Sequence, residues 1–401
     1  MSKIQYLIGI ILLCFLPGCN DNEPDAPVSV PYTLLVYMAA EEKKMTSEVS
    51  YTLDQLKAGI KESTGTVVVY LDDRDALPRL FRIDSEGNEI LLKSYPEQNS
   101  AEAGTLATVI QDTKQEVPNE RFGLILWSHA MGWLPINHSS TKSAELKKGE
   151  AVDFPHTRYF AIDEQTGTQG GSRVMEIDQM AKALPDRTAE FILFDVCLMG
   201  NVEALYQLRH TCDYFIASTA EVLAEAGYEA SGMPYEQVLP KLFGTKEDLA
   251  DACRIYYNHY NAKSGQLRSA TISLIDAREL DALYGVCREI LQGKLSEVEN
   301  SDVSSFQIYH TKNVPAVFFD LADYIRANST DVQYNAFTAQ LNRTVPYKAA
   351  TAKFIDFTID PAHYSGLSVY VPLSRWKSTP EYAYYFSSML WSQLYVNNDE
   401  R

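Results

Sequence analysis

Two stretches of this chain end an apolar run on side chains capable of covalent chemistry. In Leu124-Ile125-Leu126-Trp127-Ser128-His129-Ala130-Met131-Gly132-Trp133 the run leads into a histidine followed by small residues. In Phe191-Ile192-Leu193-Phe194-Asp195-Val196-Cys197-Leu198-Met199-Gly200-Asn201 it delivers an acid and a cysteine ahead of a helical pattern. A strand packed in a core has no packing reason to finish this way. A cysteine at a strand's carboxyl end beside a helix N-terminus sits in a positive partial field that favours the thiolate, the form that attacks carbonyls. A histidine ending another strand of the same sheet can take the thiol proton and pass it to a leaving amine. Taken singly, each is equally well a packed cysteine or a hydrogen-bonded histidine. Their independent placement at two strand ends is what favours the chemistry.

Asp195 and Cys197 are two residues apart, so on a strand they project to one face. An acid there can share the nucleophile's cleft or cap the helix that follows. Glu203 reads as a complement to that helix's dipole. His138 and His156 fall in a polar stretch, His210 ends a helix and His259 lies among tyrosines, so none adds to the pair. Asp72, Asp73 and Asp75 cluster after a strand but lack the EF-hand pattern, and no metal ligands are assigned. The six cysteines are scattered without a CxxC pair, which argues against a disulfide framework or a thiolate zinc site.

Positioning these residues needs a sheet. Apolar runs bounded by turn signals predict strands at Tyr32 to Met38, Thr66 to Leu71, Phe122 to Ser128, Phe191 to Val196 and Tyr214 to Ser218. Amphipathic stretches at Thr46 to Ile60, Thr105 to Glu116, Glu176 to Leu184 and Asn201 to Arg209 lie between them. The alternation predicts an α/β fold, a mainly parallel sheet flanked by helices, with sites at the strands' carboxyl ends. Residues 32–240 read as this domain. Residues 241–401 read as a largely helical C-terminal region packed on it, with strands at Ser269 to Ile275 and Leu367 to Val371.

The N-terminus is an address. Lys3 precedes an apolar run from Ile4 to Phe15, too short to span a bilayer but of secretory-signal length. It ends in Leu16-Pro17-Gly18-Cys19, which resembles a bacterial lipobox: residues 1–18 would be removed and Cys19 lipidated. Residues 19–31 then form a polar tether, and the expected location is the bacterial outer membrane, surface-exposed or facing the periplasm. Its acidic start also resembles the surface-export signal of Bacteroidota lipoproteins. The net charge of -18 disfavours nucleic-acid binding and favours basic partners.

WSHAMGW around His129 and FDVCLM around Cys197, with the leading LLVYMAA of Leu34 to Ala40, resemble the clostripain family of cysteine peptidases, in the wider clan of gingipains, legumains and caspases. The resemblance runs from about Tyr32 to Tyr235. It implies a caspase-like fold and a cysteine endopeptidase with His129 as general acid/base, Cys197 as nucleophile and an acyl-enzyme intermediate. The backbone N–H groups of Ala130 and Cys197 would form the oxyanion hole. The family usually has His-Gly where this chain has His129-Ala130; alanine keeps the N–H but tolerates positive φ poorly. By the same resemblance Asp195 lines a pocket for Arg or Lys before the cut, with Glu221 as a second candidate. The substrates are then proteins or peptides with basic residues. The polar stretch from Pro135 to Gly171 is a candidate for activating self-cleavage at Lys147 or Lys148. No cofactor is required; calcium is left open. The alternative is a catalytically inactive, surface-anchored binding module for host protein or peptide.

Overall fold

A computed structural model describes residues 29–41, 45–135, 160–162, 174–225, 230–309 and 316–397. Its centre is a nine-stranded sheet. Strands β1 (Val30–Ala40), β2 (Thr66–Asp73), β3 (Ala76–Ile83), β4 (Glu89–Ser94), β5 (Asn119–Trp127), β6 (Ala189–Asp195), β7 (Cys212–Ala217) and β8 (Thr271–Asp276) belong to it. The short β9 (Phe318–Asp320) stands outside, and β10 (Tyr347–Ala350) completes the sheet. The spatial order is β10-β8-β7-β6-β5-β1-β2-β3-β4. Neighbours from β7 through β6, β5 and β1 to β2 are parallel. The pairs β2–β3 and β3–β4 at one side, and β7–β8 and β8–β10 at the other, are antiparallel.

The central strands carry apolar residues on both faces because both faces are covered. Leu35, Tyr37 and Ala39 enter one core while Leu34, Val36 and Met38 enter the other. Helices α1 (Thr46–Gly59) and α5 (Lys246–Asn261) contribute to the second core. Helices α2 (Ala103–Glu116), α3 (Ile177–Ala183), α4 (Val202–Gln207) and α6 (Leu280–Leu291) contribute to the first, as do α7 (Asp331–Thr344) and α8 (Pro380–Ser388). All seven predicted strands are present with their ends shifted by a few residues. The β3–β4 hairpin was not expected: β3 contains Pro78 and β4 is largely exposed, so neither has a buried-strand signature.

Residues beyond 240 do more than pack on the sheet, since they supply β8 and β10 as well as helices. They also form a ribbon in which β9 pairs antiparallel with β11 (Ser368–Tyr370). This ribbon reaches the chain beyond the carboxyl end of β6, where Asn201 bridges to Ser368. Among the described residues no helix is long and apolar enough to cross a membrane. Residues 1–18, expected to be a signal, and Cys19, His138, His156, Lys147 and Lys148 lie outside the described residues.

Candidate active site

Strands β5 and β6 are adjacent and parallel, with Trp127 opposite Asp195 at their carboxyl ends. His129 and Cys197 each follow two residues later, so the two segments leave the sheet side by side. Both side chains are half-buried and line one cavity of about 200 Å³. Its wall also includes Met45, Glu48, Trp127, Asp195, Val222 and Gly232. The histidine segment is anchored on its other flank by β1: the Ser128 hydroxyl donates to the Ala39 carbonyl at 2.7 Å. Ala130 is buried and is not among the described non-glycine residues with positive φ, so the alanine after the histidine carries no backbone strain. The left-handed conformation falls two residues later, at Gly132 with φ 65°.

The cysteine segment is held by an extension of β7. The Leu198 N–H donates to the Ala220 carbonyl at 2.9 Å and the Gly200 N–H to the Ser218 carbonyl at 2.6 Å. The Val222 N–H donates to Cys197 Sγ at 3.2 Å. Leu198 takes φ 61°, uncommon for a branched side chain, and is over-determined by those bonds and by near-complete burial. Glycine is required at 200, because a Cβ there would meet the Thr219 nitrogen at 2.7 Å. The helix predicted over Asn201 to Arg209 spans Val202–Gln207, with Asn201 as its N-cap. Cys197 therefore lies outside the first turn of that helix. The sulfur meets the backbone of Val222 instead, accepting from its N–H at 3.2 Å and lying 3.8 Å from its carbonyl.

Asp195 is buried at the cavity wall. Its Oδ2 accepts from the Tyr235 hydroxyl at 2.8 Å and from the Met233 N–H at 3.3 Å, while its buried Oδ1 has no hydrogen-bond partner. Burial pushes its carboxyl up to about 6, opposed by the Tyr235 and Met233 hydrogen bonds. Gly232 presses on the carboxylate so closely that a Cβ would come within 2.7 Å of Oδ2. One carboxylate oxygen is thus held and the other is buried without a hydrogen-bond partner. Asp195 does not cap α4; Asn201 does, accepting from the Ala204 N–H at 3.2 Å.

Over residues 36–395 the chain matches the clostripain family, peptidase class C11. It belongs to that family. It is similar to an inactive zymogen C11 protease of Parabacteroides distasonis, with 29% identity over 92% of this chain and 99% of that one and a TM-score of 0.75. It is also similar to iotapain, a secreted C11 cysteine protease of Bacteroides thetaiotaomicron, with 26% identity over 92% and 99% and a TM-score of 0.72. A secreted C11 cysteine protease of the same organism, bound to an irreversible peptide inhibitor, shares the fold at 24% identity, with 91% and 98% covered and a TM-score of 0.71. No curated protein matches the chain. The chain is a cysteine-type peptidase with a mostly parallel sheet flanked by helices.

Within this clostripain-family peptidase His129, Cys197 and Asp195 share a cavity, but Glu221 is not part of its lining. The second acid there is Glu48, in the first turn of α1, whose Oε2 accepts from the Ser47 hydroxyl at 2.8 Å. Sequence reasoning missed it because it sits almost 150 positions before Cys197, and only tertiary structure brings α1 to the strand ends. Glu203 lies in the first turn of α4, where an acid complements the helix dipole, and it is wholly buried there. The acidic cluster after β2 also divides differently. Asp73 accepts from the Asp75 and Ala76 N–H groups and pairs with Arg79, closing the β2–β3 turn. Asp72 instead lies with Glu41 and Glu97, their carboxylate oxygens within 4.8 Å of one another.

The raised value of Asp195 has a stability consequence. The folded protein holds this proton more tightly than the unfolded chain, whose reference is 3.8, so ionisation costs stability. The cost is absent below the unfolded value and complete above about 6. Asp195→Asn keeps an acceptor for Tyr235 and Met233 without the buried charge. It is expected to raise unfolding stability near pH 7 by up to about 3 kcal/mol and by much less near pH 4. Urea denaturation at the two pH values checks this; destabilisation near pH 7 would show that the lost carboxylate contacts outweigh its burial.

Proposed function

We propose that this peptidase cleaves peptide bonds after Arg or Lys through an acyl-enzyme, with Cys197 and His129 as its dyad. The observation that carries the reading is the strand register that delivers both residues to one cavity with Asp195 in its wall. Cys197 Sγ attacks the scissile carbonyl, and its proton passes by way of His129 to the leaving amine as the C–N bond breaks. Water then attacks the thioester, giving a proton to His129, and the C–S bond breaks to release the acid and restore the thiol. The N–H groups of Ala130 and Cys197 are assigned to the developing oxyanion. The free Oδ1 of Asp195, with Glu48 in the same lining, supports a pocket for a cationic side chain. Glu221 is left with no part in this reading. No step uses a cofactor. Calcium stays open: Glu41, Asp72 and Glu97 offer the hard oxygen donors it takes, and its charge would offset theirs.

Outside the cavity the reading extends to maturation. Residues 1–18 are removed, Cys19 carries lipid, and the peptidase sits on the bacterial outer membrane; iotapain, a relative, is secreted. Another relative is an inactive zymogen. That state fits a chain that activates by cutting itself at Lys147 or Lys148, between the His129 and Cys197 segments.

Fluorogenic peptides ending in Lys, Arg or Leu test the chemistry. Cys197→Ala and His129→Ala should each lower kcat by at least about 10³-fold with the fold intact. Asp195→Asn should lower kcat/KM on the basic peptides by roughly 10²-fold and on the Leu peptide far less. Equal losses on all three would reassign Asp195 to holding the cysteine segment. Full activity of Cys197→Ala would remove the dyad, and no turnover by any form would favour the binding module. Intact-mass analysis of full-length protein made in a bacterial host reads the maturation. The account expects loss of residues 1–18, a lipid on Cys19, and time-dependent splitting at Lys147 or Lys148 in wild type but not in Cys197→Ala. A fully active chain that never splits overturns the activation step, and an unmodified Cys19 overturns the anchor.

A further inference from the structure

The chemistry above leaves unused a buried carboxyl six residues after the nucleophile. Glu203 lies in the first turn of α4 with no solvent exposure. Its Oε1 accepts from the Tyr370 N–H of β11 at 2.8 Å, and its Oε2 is buried without a hydrogen-bond partner. Burial pushes the carboxyl up to about 8, opposed first by the Tyr370 N–H and more weakly by Asn201 and Trp133. The Trp133 Nε1 is itself buried and outside full hydrogen-bond geometry. A second tie runs in parallel: the Gly200 carbonyl accepts from the Ser368 N–H at 2.8 Å and from its hydroxyl at 3.3 Å.

The same strand reaches the histidine segment. The Tyr370 ring meets Trp133 edge-on at 5.2 Å, and Tyr384 and Tyr385 close around that indole at 6.2 and 5.4 Å. Phe318 of β9 lies against Gly132, where an added Cβ would be 3.0 Å from its ring and 3.2 Å from the Leu198 carbonyl. The His129–Trp133 and Cys197–Glu203 segments therefore touch each other and rest on one ribbon, which comes from the C-terminal region. A carboxyl sealed here without an ion pair is costly, so filling space is a poor reason for it.

We propose that Glu203 is a positioning residue for the peptidase reaction: by holding the Cys197 segment to β11 beside Trp133, it lets the C-terminal ribbon set the separation of thiol and imidazole. The proposal rests on the Cys197–His129 reading. Small displacements of reacting groups are expensive, about 10²-fold for 1 Å, so a slackened tie is read in kcat.

Glu203→Gln keeps size and acceptor, whereas Glu203→Ala removes the tie; Glu381→Ala, which removes another buried carboxyl whose charge is felt at Tyr370, is the stability control. The readouts are kcat and KM on a Lys peptide, and the pH profile of Cys197 alkylation by iodoacetamide. Glu203→Ala should lose roughly 30- to 100-fold in kcat with KM within about threefold. Its alkylation profile should move toward that of an unassisted thiol. Glu203→Gln should recover most of kcat, and Glu381→Ala should leave both readouts unchanged. If Glu203→Ala does not fold, Glu203→Asp, which draws the carboxyl back from the Tyr370 N–H, is measured in its place. Unchanged kcat and alkylation profile in the folded variant, whatever its melting temperature, overturn the proposal. Activity surviving in Cys197→Ala sinks the dyad itself. A dead Cys197→Ala with an unimpaired Glu203→Ala sinks only the positioning role.

Discussion

The site depends on one constraint, the parallel pairing of β5 with β6 in the register that sets Trp127 opposite Asp195. Both strands are apolar on both faces, so what sets the register is shape: a one-residue slip would put each side chain into the core packed for its neighbour and move Gly123 from under the Phe191 ring, where a Cβ would come within 2.7 Å. The two cores therefore enforce it: Leu124 and Leu126 belong to one, and Phe191 and Leu193 to the other. Packing on both faces fixes the register, and the register fixes where the histidine and cysteine leave the sheet.

Beyond the strand ends, backbone hydrogen bonds do what sheet pairing no longer can. The Cys197 segment is laid along residues 218–222 by alternating N–H to carbonyl bonds, and this ordered contact holds Leu198 in a left-handed conformation. The same segment brings the Val222 N–H onto the sulfur and Gly232 onto the Asp195 carboxylate. Cys197 and Asp195 are thus both contacted by chain that follows β7. The C-terminal ribbon supports this arrangement from behind through Gly200, Glu203 and Trp133. Asp195 carries the cost of the arrangement, as a charge kept at a buried wall.

Much of this was legible in the sequence, for a physical reason. Strands buried on both faces give continuous apolar runs, and a reactive side chain ending such a run is conspicuous, so His129, Cys197 and Asp195 could be named from composition and spacing. Other parts carry no such signal. Glu48 is an ordinary acid of an amphipathic helix until the fold brings α1 to the cavity, whereas Glu221 was a candidate because it follows the strand predicted over Tyr214 to Ser218. Glu203 read as a first-turn acid complementing its helix's dipole, and nothing in that reading foretold its burial. Its burial depends on β11, more than 160 residues later, whose short run is too brief to announce its neighbour. The β3–β4 hairpin escaped for the opposite reason, since a strand with little to bury shows no apolar pattern.

The central claim is that the fold singles out Cys197, paired with His129, from the cysteines of the chain. Cys212, Cys253 and Cys287 are buried, and burial pushes each thiol up, away from the thiolate. The most direct measurement is peptide mass mapping after limited treatment of the folded protein with an electrophilic peptide ending in lysine. The account predicts one adduct, on Cys197, formed much more slowly in His129→Ala. Adducts on another cysteine, or labelling of Cys197 at an unchanged rate without His129, would contradict it.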